Sequence, residues 1–246
     1  MFHIFTKKRF LADYLENFVD IHNHILPGID DGAKTVADSL SLIQGFSELG
    51  IHRFVATPHI MHNFYDNTPT TIVNSLHELK NELLKNDLTD VSIEASAEHM
   101  IDANFENILE NDEVMPLRRN YLLIEMSYLQ PSLNFNDAVQ QIAAKRYFPI
   151  FAHPERYMYL HNHMKSYREY KKQGIQFQLN LLSLSEFYGR DVRKTALKLV
   201  NEGLIDFVAS DVHNLNQLKH LKEVAISDGL LKSVLPLIER TIYEFY

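Results

Sequence analysis

Residues 20–32 read DIHNHILPGIDDG, and the rest of the chain makes sense as support for them. The approach is apolar, through Phe18, Val19 and Ile21, and it runs into His22 and His24. Strand side chains alternate with period 2, so these two imidazoles face the same way. Pro27-Gly28 then breaks the strand into a loop that carries Asp30 and Asp31 back toward the same end. Taken alone, the histidine pair admits two readings: a metal clamp, or two satisfied core residues beside a solvated acidic turn. Partners elsewhere in the chain must decide.

Working outward, residues 35–49 place Val36, Leu40, Ile43 and Phe46 at helical spacing, with Gly50 as the stop. A second strand is predicted from His52 to His59, ending in a Thr-Pro turn. Residues 70–86 form an amphipathic helix through Ile72, Leu76, Leu79 and Leu83. Further strands are predicted at 91–95, 121–125, 148–152, 175–179 and 206–209, with helical patterns between most of them. The helix around Phe105 to Leu109 is short and irregular, and residues 217–245 read as one or two closing helices. Seven strands alternating with helices predict a parallel α/β sheet or barrel.

The bulk numbers agree with one folded unit. A chain of 246 residues with 46% hydrophobic and 23% charged residues is ordinary for a globular protein, and α/β barrels of this length are commonly single domains. A net charge of -8 argues against a nucleic-acid surface, which wants clustered Lys and Arg. There is no cysteine, so thiolate metal sites and a cysteine nucleophile are excluded together. No apolar run approaches the roughly 20 residues of a membrane span, so stable membrane insertion is not expected. The first 17 residues, with MFHIF at their start, are expected to form a short helix packed on the domain.

In parallel α/β folds the ligand site lies at the carboxyl ends of the strands. His22 and His24 end the first strand, His59 the second, Glu98 the third, Glu125 the fourth, His153 the fifth, and Asp211 with His213 the seventh. With Asp31 from the loop, two glutamates, two aspartates and five histidines converge there. Ionised carboxylates are costly to bury without a cation, and nearby Arg156 is little compensation for four of them. Metal ions are the economical solution, and every donor is nitrogen or oxygen.

The segments DIHNHILPGIDDG, ATPH, ASAEHM around Glu98, YLLIEM around Glu125, AHPERY and ASDVHN resemble the motifs of the PHP (polymerase and histidinol phosphatase) superfamily. More narrowly, DDG, AHPERY and SDVHN resemble its bacterial capsular and exopolysaccharide protein-tyrosine phosphatases. The resemblance runs from about residue 18 to 214. It implies a distorted (β/α)7 barrel in a single domain over 18–246, holding three divalent metal ions, manganese first, with iron or zinc as alternatives. One metal would take His22, His24, Glu98 and Asp211; a second would share Glu98 with Glu125 and His153; a third would use Asp31, His59 and His213. Arg156 would bind the substrate phosphate. His99, beside Glu98, points away from it by strand parity.

Such an assembly suits phosphomonoester hydrolysis, because bound metal lowers the pKa of water toward about 7 and metals about 3.5–4 Å apart stabilise attacking and leaving oxygens together. A phenolate, with parent pKa near 10, leaves more readily than a sugar alkoxide. The resemblance therefore implies a cytoplasmic phosphotyrosine phosphatase acting on the tail of a bacterial tyrosine kinase that controls polysaccharide export. The alternatives are a small-molecule phosphoesterase of the histidinol-phosphatase type and a non-catalytic module that binds a phosphorylated tail. The aromatic residues of the loops, Phe64, Tyr65, Tyr128, Tyr157 and Tyr159 among them, either wall a slot for a tyrosine ring or pack on the rim.

Overall fold

The computed structural model describes residues 9–246. Strand β1 (Arg9–Phe10) and a 3-10 turn (Leu11–Tyr14) lead to β2 (Val19–Asp20). The helix expected within the first 17 residues falls partly on residues 1–8, outside the described residues. Its described part is this strand and turn, because Arg9 and Phe10 pair antiparallel with Ile226 and Ala225 while Leu11 and Leu15 are buried.

Helix α1 (Val36–Ser47) begins at Thr35, whose hydroxyl accepts from the Asp38 N–H while the Asp38 carboxylate accepts from the Thr35 N–H, a reciprocal cap that fixes where the helix starts. The predicted second strand is two pieces, β3 (Arg53–Ala56) and β4 (His59–Ile60). The break falls at Thr57-Pro58, where proline has no N–H for a ladder. After α2 (Pro69–Lys85) the third strand is likewise divided, into β5 (Ser92–Ala95) and β6 (Glu98–Met100). The chain continues through α3 (Phe105–Glu110), β7 (Tyr121–Glu125), α4 (Phe135–Ala144), β8 (Phe148–Ala152), α5 (Met164–Lys172) and β9 (Gln176–Asn180). It ends with α6 (Arg190–Asn201), β10 (Phe207–Ala209), α7 (Leu215–Lys222), β11 (Ala225–Ile226) and α8 (Asp228–Phe245).

Strands β2, β3 and β5 form one parallel sheet, and β4, β6, β7, β8, β9 and β10 another. Because β3 runs on into β4 and β5 into β6, the two sheets are arcs of one ring. It closes where the segment after β2 meets the segment after β10: Asn23 bridges Val212, the Asp211 N–H donates to the His22 carbonyl (2.7 Å), and the His24 N–H donates to the Val212 carbonyl (3.0 Å). Seven strand positions with helices outside make this a distorted (β/α)7 barrel.

Two apolar clusters hold it. Val19, Ile21, Val55, Leu123, Ile150 and Phe207 come from strands far apart around the ring, so they can meet only inside it, and Phe245 of α8 joins them. The larger cluster packs the outer strand faces, such as Leu122, Ile124, Phe151 and Phe177, against helical residues including Phe46, Ile72 and Ile142. A leucine-sized side chain fully removed from water stabilises by roughly 1.5–3 kcal/mol, so this closed ring is a rigid frame for what sits on its rim.

Candidate metal centre

The ladder decides which donors become neighbours. In the β4–β6 pair His59 lies directly opposite Glu98, and in the β6–β7 pair Met100 lies opposite Glu125, so the three candidate ligands His59, Glu98 and Glu125 are stepped along adjacent strands. Asn23 sits between the first two histidines with its amide donating to the carbonyls of Asp20 (3.0 Å) and Val55 (3.3 Å), which turns His22 and His24 together to the other side. Gly32 of the DDG turn packs so tightly on that segment that a Cβ there would lie 2.1 Å from the His24 carbonyl oxygen. His153 (φ 34°) and Asp211 (φ 51°) occupy the left-handed region, a strain of about 1–3 kcal/mol each that aims their side chains across the ring.

Three groups of donors result, each with ligand atoms within 4.8 Å of one another. His22, His24, Glu98 and Asp211, named together from the sequence, lie together in the first. Glu98 and Glu125 meet in the second, but the histidine between them is His59, whose Nδ1 lies 3.2 Å from Glu98 Oε2 and 2.9 Å from Glu125 Oε1. His153 reaches the cluster through the other oxygen of Glu98, at 2.9 Å from Oε1. Asp31, His59 and His213 gather in the third, where Asp31 Oδ1 stands 3.4 Å from Nε2 of both histidines, and His24 belongs to it as well. All nine residues singled out as ligands therefore lie in one connected cluster.

The donor set fits metal ions. Among the described residues His59 Nδ1, Glu98 Oε2, Glu125 Oε1 and Asp211 Oδ1 are buried without a hydrogen-bond partner of normal geometry, and their close neighbours are other candidate ligands: His59 for Glu98 and Glu125, His22 and His24 for Asp211. Such orphaned lone pairs are rare and costly unless a cation satisfies them. Electrostatics says the same. Burial alone would raise the carboxyls of Glu98 and Asp211, yet His22, with His59 on Glu98 and His213 on Asp211, holds both well below the ordinary range. Burial alone would lower His24 and His59, yet Asp30 beside the first and Glu125 beside the second raise both well above the usual value. Imidazoles and carboxylates of the cluster thus favour one another's charged forms, and a metal ion bound there would compete with protons for the same nitrogens.

Several supporting residues carry no sequence motif that marks them as ligands. Asp30 accepts from His24 Nδ1 (2.7 Å), from the Gly32 N–H (2.8 Å) and from the His59 N–H (3.2 Å), which orients two ligands at once. Gln178 Oε1 holds His22 Nδ1 (2.8 Å), and the Asn180 amide donates to Asp211 Oδ2 (2.9 Å). The signal for these was present: in IQFQLN the polar residues alternate with Phe177 and Leu179 along a buried strand. His99 faces away, with Nδ1 on the Leu123 carbonyl (2.9 Å) and Nε2 accepting from the Met115 N–H (3.1 Å).

Arg156 stands at the rim, its Nη1 donating to Asp211 Oδ2 (2.6 Å). Its guanidinium lies over the rings of Tyr188 (4.2 Å to the centroid) and Tyr128 (4.8 Å). Tyr65 stacks on His59 (5.4 Å between centroids) and Tyr128 on His153 (5.6 Å), so aromatic rings flank the cluster on two sides. Tyr157 is instead fully buried, and its hydroxyl accepts from the Met126 N–H.

Comparison with known proteins extends this picture. A family model described as capsular polysaccharide synthesis, CpsB/CapC, matches residues 18–225. The tyrosine-protein phosphatase YwqE of Bacillus subtilis is 31% identical over 198 residues, 80% of this chain and 78% of that protein. The putative tyrosine-protein phosphatase CapC of Staphylococcus aureus is 30% identical over 218 residues, 87% and 84% of the two chains. A chain from the crystal structures of YwqE from B. subtilis and CpsB from Streptococcus pneumoniae, described as unique metal-dependent tyrosine phosphatases, superimposes with a TM-score of 0.81 at 29% identity, covering 92% of this chain and 94% of that one.

Proposed function

This chain belongs to the CpsB/CapC family of capsular polysaccharide synthesis proteins, and from that premise we propose that it is a metal-dependent protein-tyrosine phosphatase. The observation that carries the reading is the convergence of nine nitrogen- and oxygen-bearing residues, eight in overlapping groups linked through His24, His59 and Glu98 and the ninth, His153, against Glu98, with a guanidinium fixed at their edge. Three divalent ions, manganese by preference, would be held by His22, His24, Glu98 and Asp211; by Glu98, Glu125 and His153; and by Asp31, His59 and His213. When bound, they supply Lewis acidity and an activated water at neutral pH.

The chain's own residues do the rest. Arg156 offers a planar pair of donors to the non-bridging phosphate oxygens. Stacking between Tyr128 and Tyr188 sets its orientation before substrate arrives, so little ordering is left for the binding step. Asn180 holds the oxygen of Asp211 that Arg156 also uses, which keeps that carboxylate in place when the guanidinium turns toward phosphate. Tyr65 and Tyr128 shield the cluster from water and present ring faces to an aryl group. A phenolate leaves with little help from a proton donor, which suits a site whose buried acids are ionised. The proposed partner is the phosphotyrosine tail of a bacterial tyrosine kinase, met in the cytoplasm; among the described residues no helix is long and apolar enough to cross a membrane.

The test pairs metal analysis with phosphatase assay on His153→Ala and Arg156→Ala. His153→Ala should lose metal and activity together. Arg156→Ala should keep its metals and lose phosphate recognition. Hydrolysis of small sugar or amino-alcohol phosphates in preference to phosphotyrosine peptides would overturn the substrate class.

A further inference from the structure

Beside the metal centre lies a groove of about 470 Å³ lined chiefly by Met61, Met100, Ile101, Pro131 and Leu133. Resting on the phosphatase reading above, we propose that this groove is a subsite for an apolar side chain flanking the phosphotyrosine of a protein substrate.

The groove's lining adjoins the candidate ligands along the chain and across the ladder. Met100 is the ladder partner of Glu125, and the Ile101 N–H donates to the Glu125 carbonyl (2.9 Å), so its floor is one ladder step from a candidate ligand. Its opposite wall begins at Met61, two residues past His59, where the backbone pairs with Tyr65, the residue whose ring covers His59. A substrate bound at the metals has the groove as its next surface.

The lining states the chemistry of the occupant. Most of its polar groups are already used: Ser132 Oγ donates to the Ile101 carbonyl (2.6 Å), the Asn134 amide to the Asp102 carbonyl (3.2 Å), and Asp102 accepts from the N–H groups of His62 and Asn104 (both 2.8 Å). What faces the space is methionine, isoleucine, proline and leucine. Leu133 on its rim is fully exposed and nearby Leu129 is 91% exposed, an arrangement a chain left to itself avoids. Flexible methionines accept side chains of differing shape, which suits a peptide flank better than one small ligand. Only a substrate that continues past its phosphorylated ring reaches from the metals to this groove, so a free phosphomonoester gains nothing from it.

The experiment compares manganese-loaded wild type, Leu133→Ser and Met61→Ala on p-nitrophenyl phosphate and on two phosphotyrosine peptides, one flanked by leucine and one by serine. Wild type should favour the leucine peptide by about tenfold in kcat/KM, the range set by one apolar side chain in a pocket. Each variant should erase that preference through KM, leave p-nitrophenyl phosphate and the serine peptide unchanged, and weaken binding of a non-hydrolysable phosphonate analogue of the leucine peptide to a similar extent. Equal treatment of the two peptides by wild type, or variants that alter all three substrates alike, would overturn the subsite while leaving the phosphatase reading intact. A wild type that cleaves none of the three would overturn both.

Discussion

At the amino ends of the strands, Phe245 of the last helix packs into the barrel against Phe207 and Tyr121, with ring centroids 5.1 and 5.6 Å away. At the carboxyl ends, on the same seven strands, His59, Glu98, Glu125 and Asp211 crowd together with buried atoms that have no hydrogen-bond partner of normal geometry among the described residues. The first end is dry and closed, and each side chain removed from it leaves a cavity. The second end holds charges that proteins normally keep apart, and two of its candidate ligands, His153 and Asp211, sit in a strained backbone conformation. Strain and unmet polarity are tolerated there because the apolar end and the outer helical layer overdetermine the fold. Stability and chemistry therefore occupy opposite ends of one ring.

That division is open to direct attack. Glu98→Gln removes the charge shared by two donor groups, so activity should fall by about a thousandfold or more and metal content should drop, while the urea midpoint of the metal-free protein stays near wild type. Loss of folding with metals retained would break the comparison. Phe245→Ala is the mirror experiment: equilibrium unfolding should show about 3–5 kcal/mol of lost stability, with kcat/KM per folded molecule unchanged. A smaller effect is expected from Asp30→Asn, which keeps the shape but weakens the hold on His24 and on the His59 backbone. Metal titration followed by calorimetry should show affinity reduced about 10–100-fold.

His99 provides the mildest test, because it lies next to Glu98 in sequence yet serves the packed side of the strand. Burial pushes its imidazole down to about 4, so the folded chain refuses a proton that the unfolded chain takes up near pH 6.5. The folded pKa is the lower one, so this contribution is present above pH 6.5 and is lost as pH falls toward 4, at up to about 1.4 kcal/mol per pH unit. In His99→Gln the stability curve over that window should be flatter than in wild type. An unchanged slope would mean that burial does not hold His99 neutral.

Much of this was legible in the chain itself. DIHNHILPGIDDG announced a strand, a turn and a cluster of donors, and the alternation of strands and helices predicted the barrel, because both patterns are set by neighbours a few residues apart. Nine ligand candidates could be named for a related reason: parallel α/β folds gather strand ends on one rim, whatever the details of packing. The pairing of those candidates was less accessible. That His59 bridges Glu98 and Glu125, that His24 also belongs with Asp31, and that His153 enters through the far oxygen of Glu98 depend on kinks at Thr57-Pro58 and Ser96-Ala97 whose depth no local pattern encodes.

Of the two neighbouring aspartates, Asp31 joins a donor group while Asp30 turns inward to hold His24, a choice made by the fit of Gly32 against the first strand. The sequence by itself determined the kind of fold and the chemistry available at its rim, since periodicity and residue type act locally. Only the closed ring decided which donors meet and which residues orient them, because it joins His22 to Gln178 and Asp20 to Ser210 by hydrogen bonds across 156 and 190 residues of chain, a separation that local sequence patterns do not span.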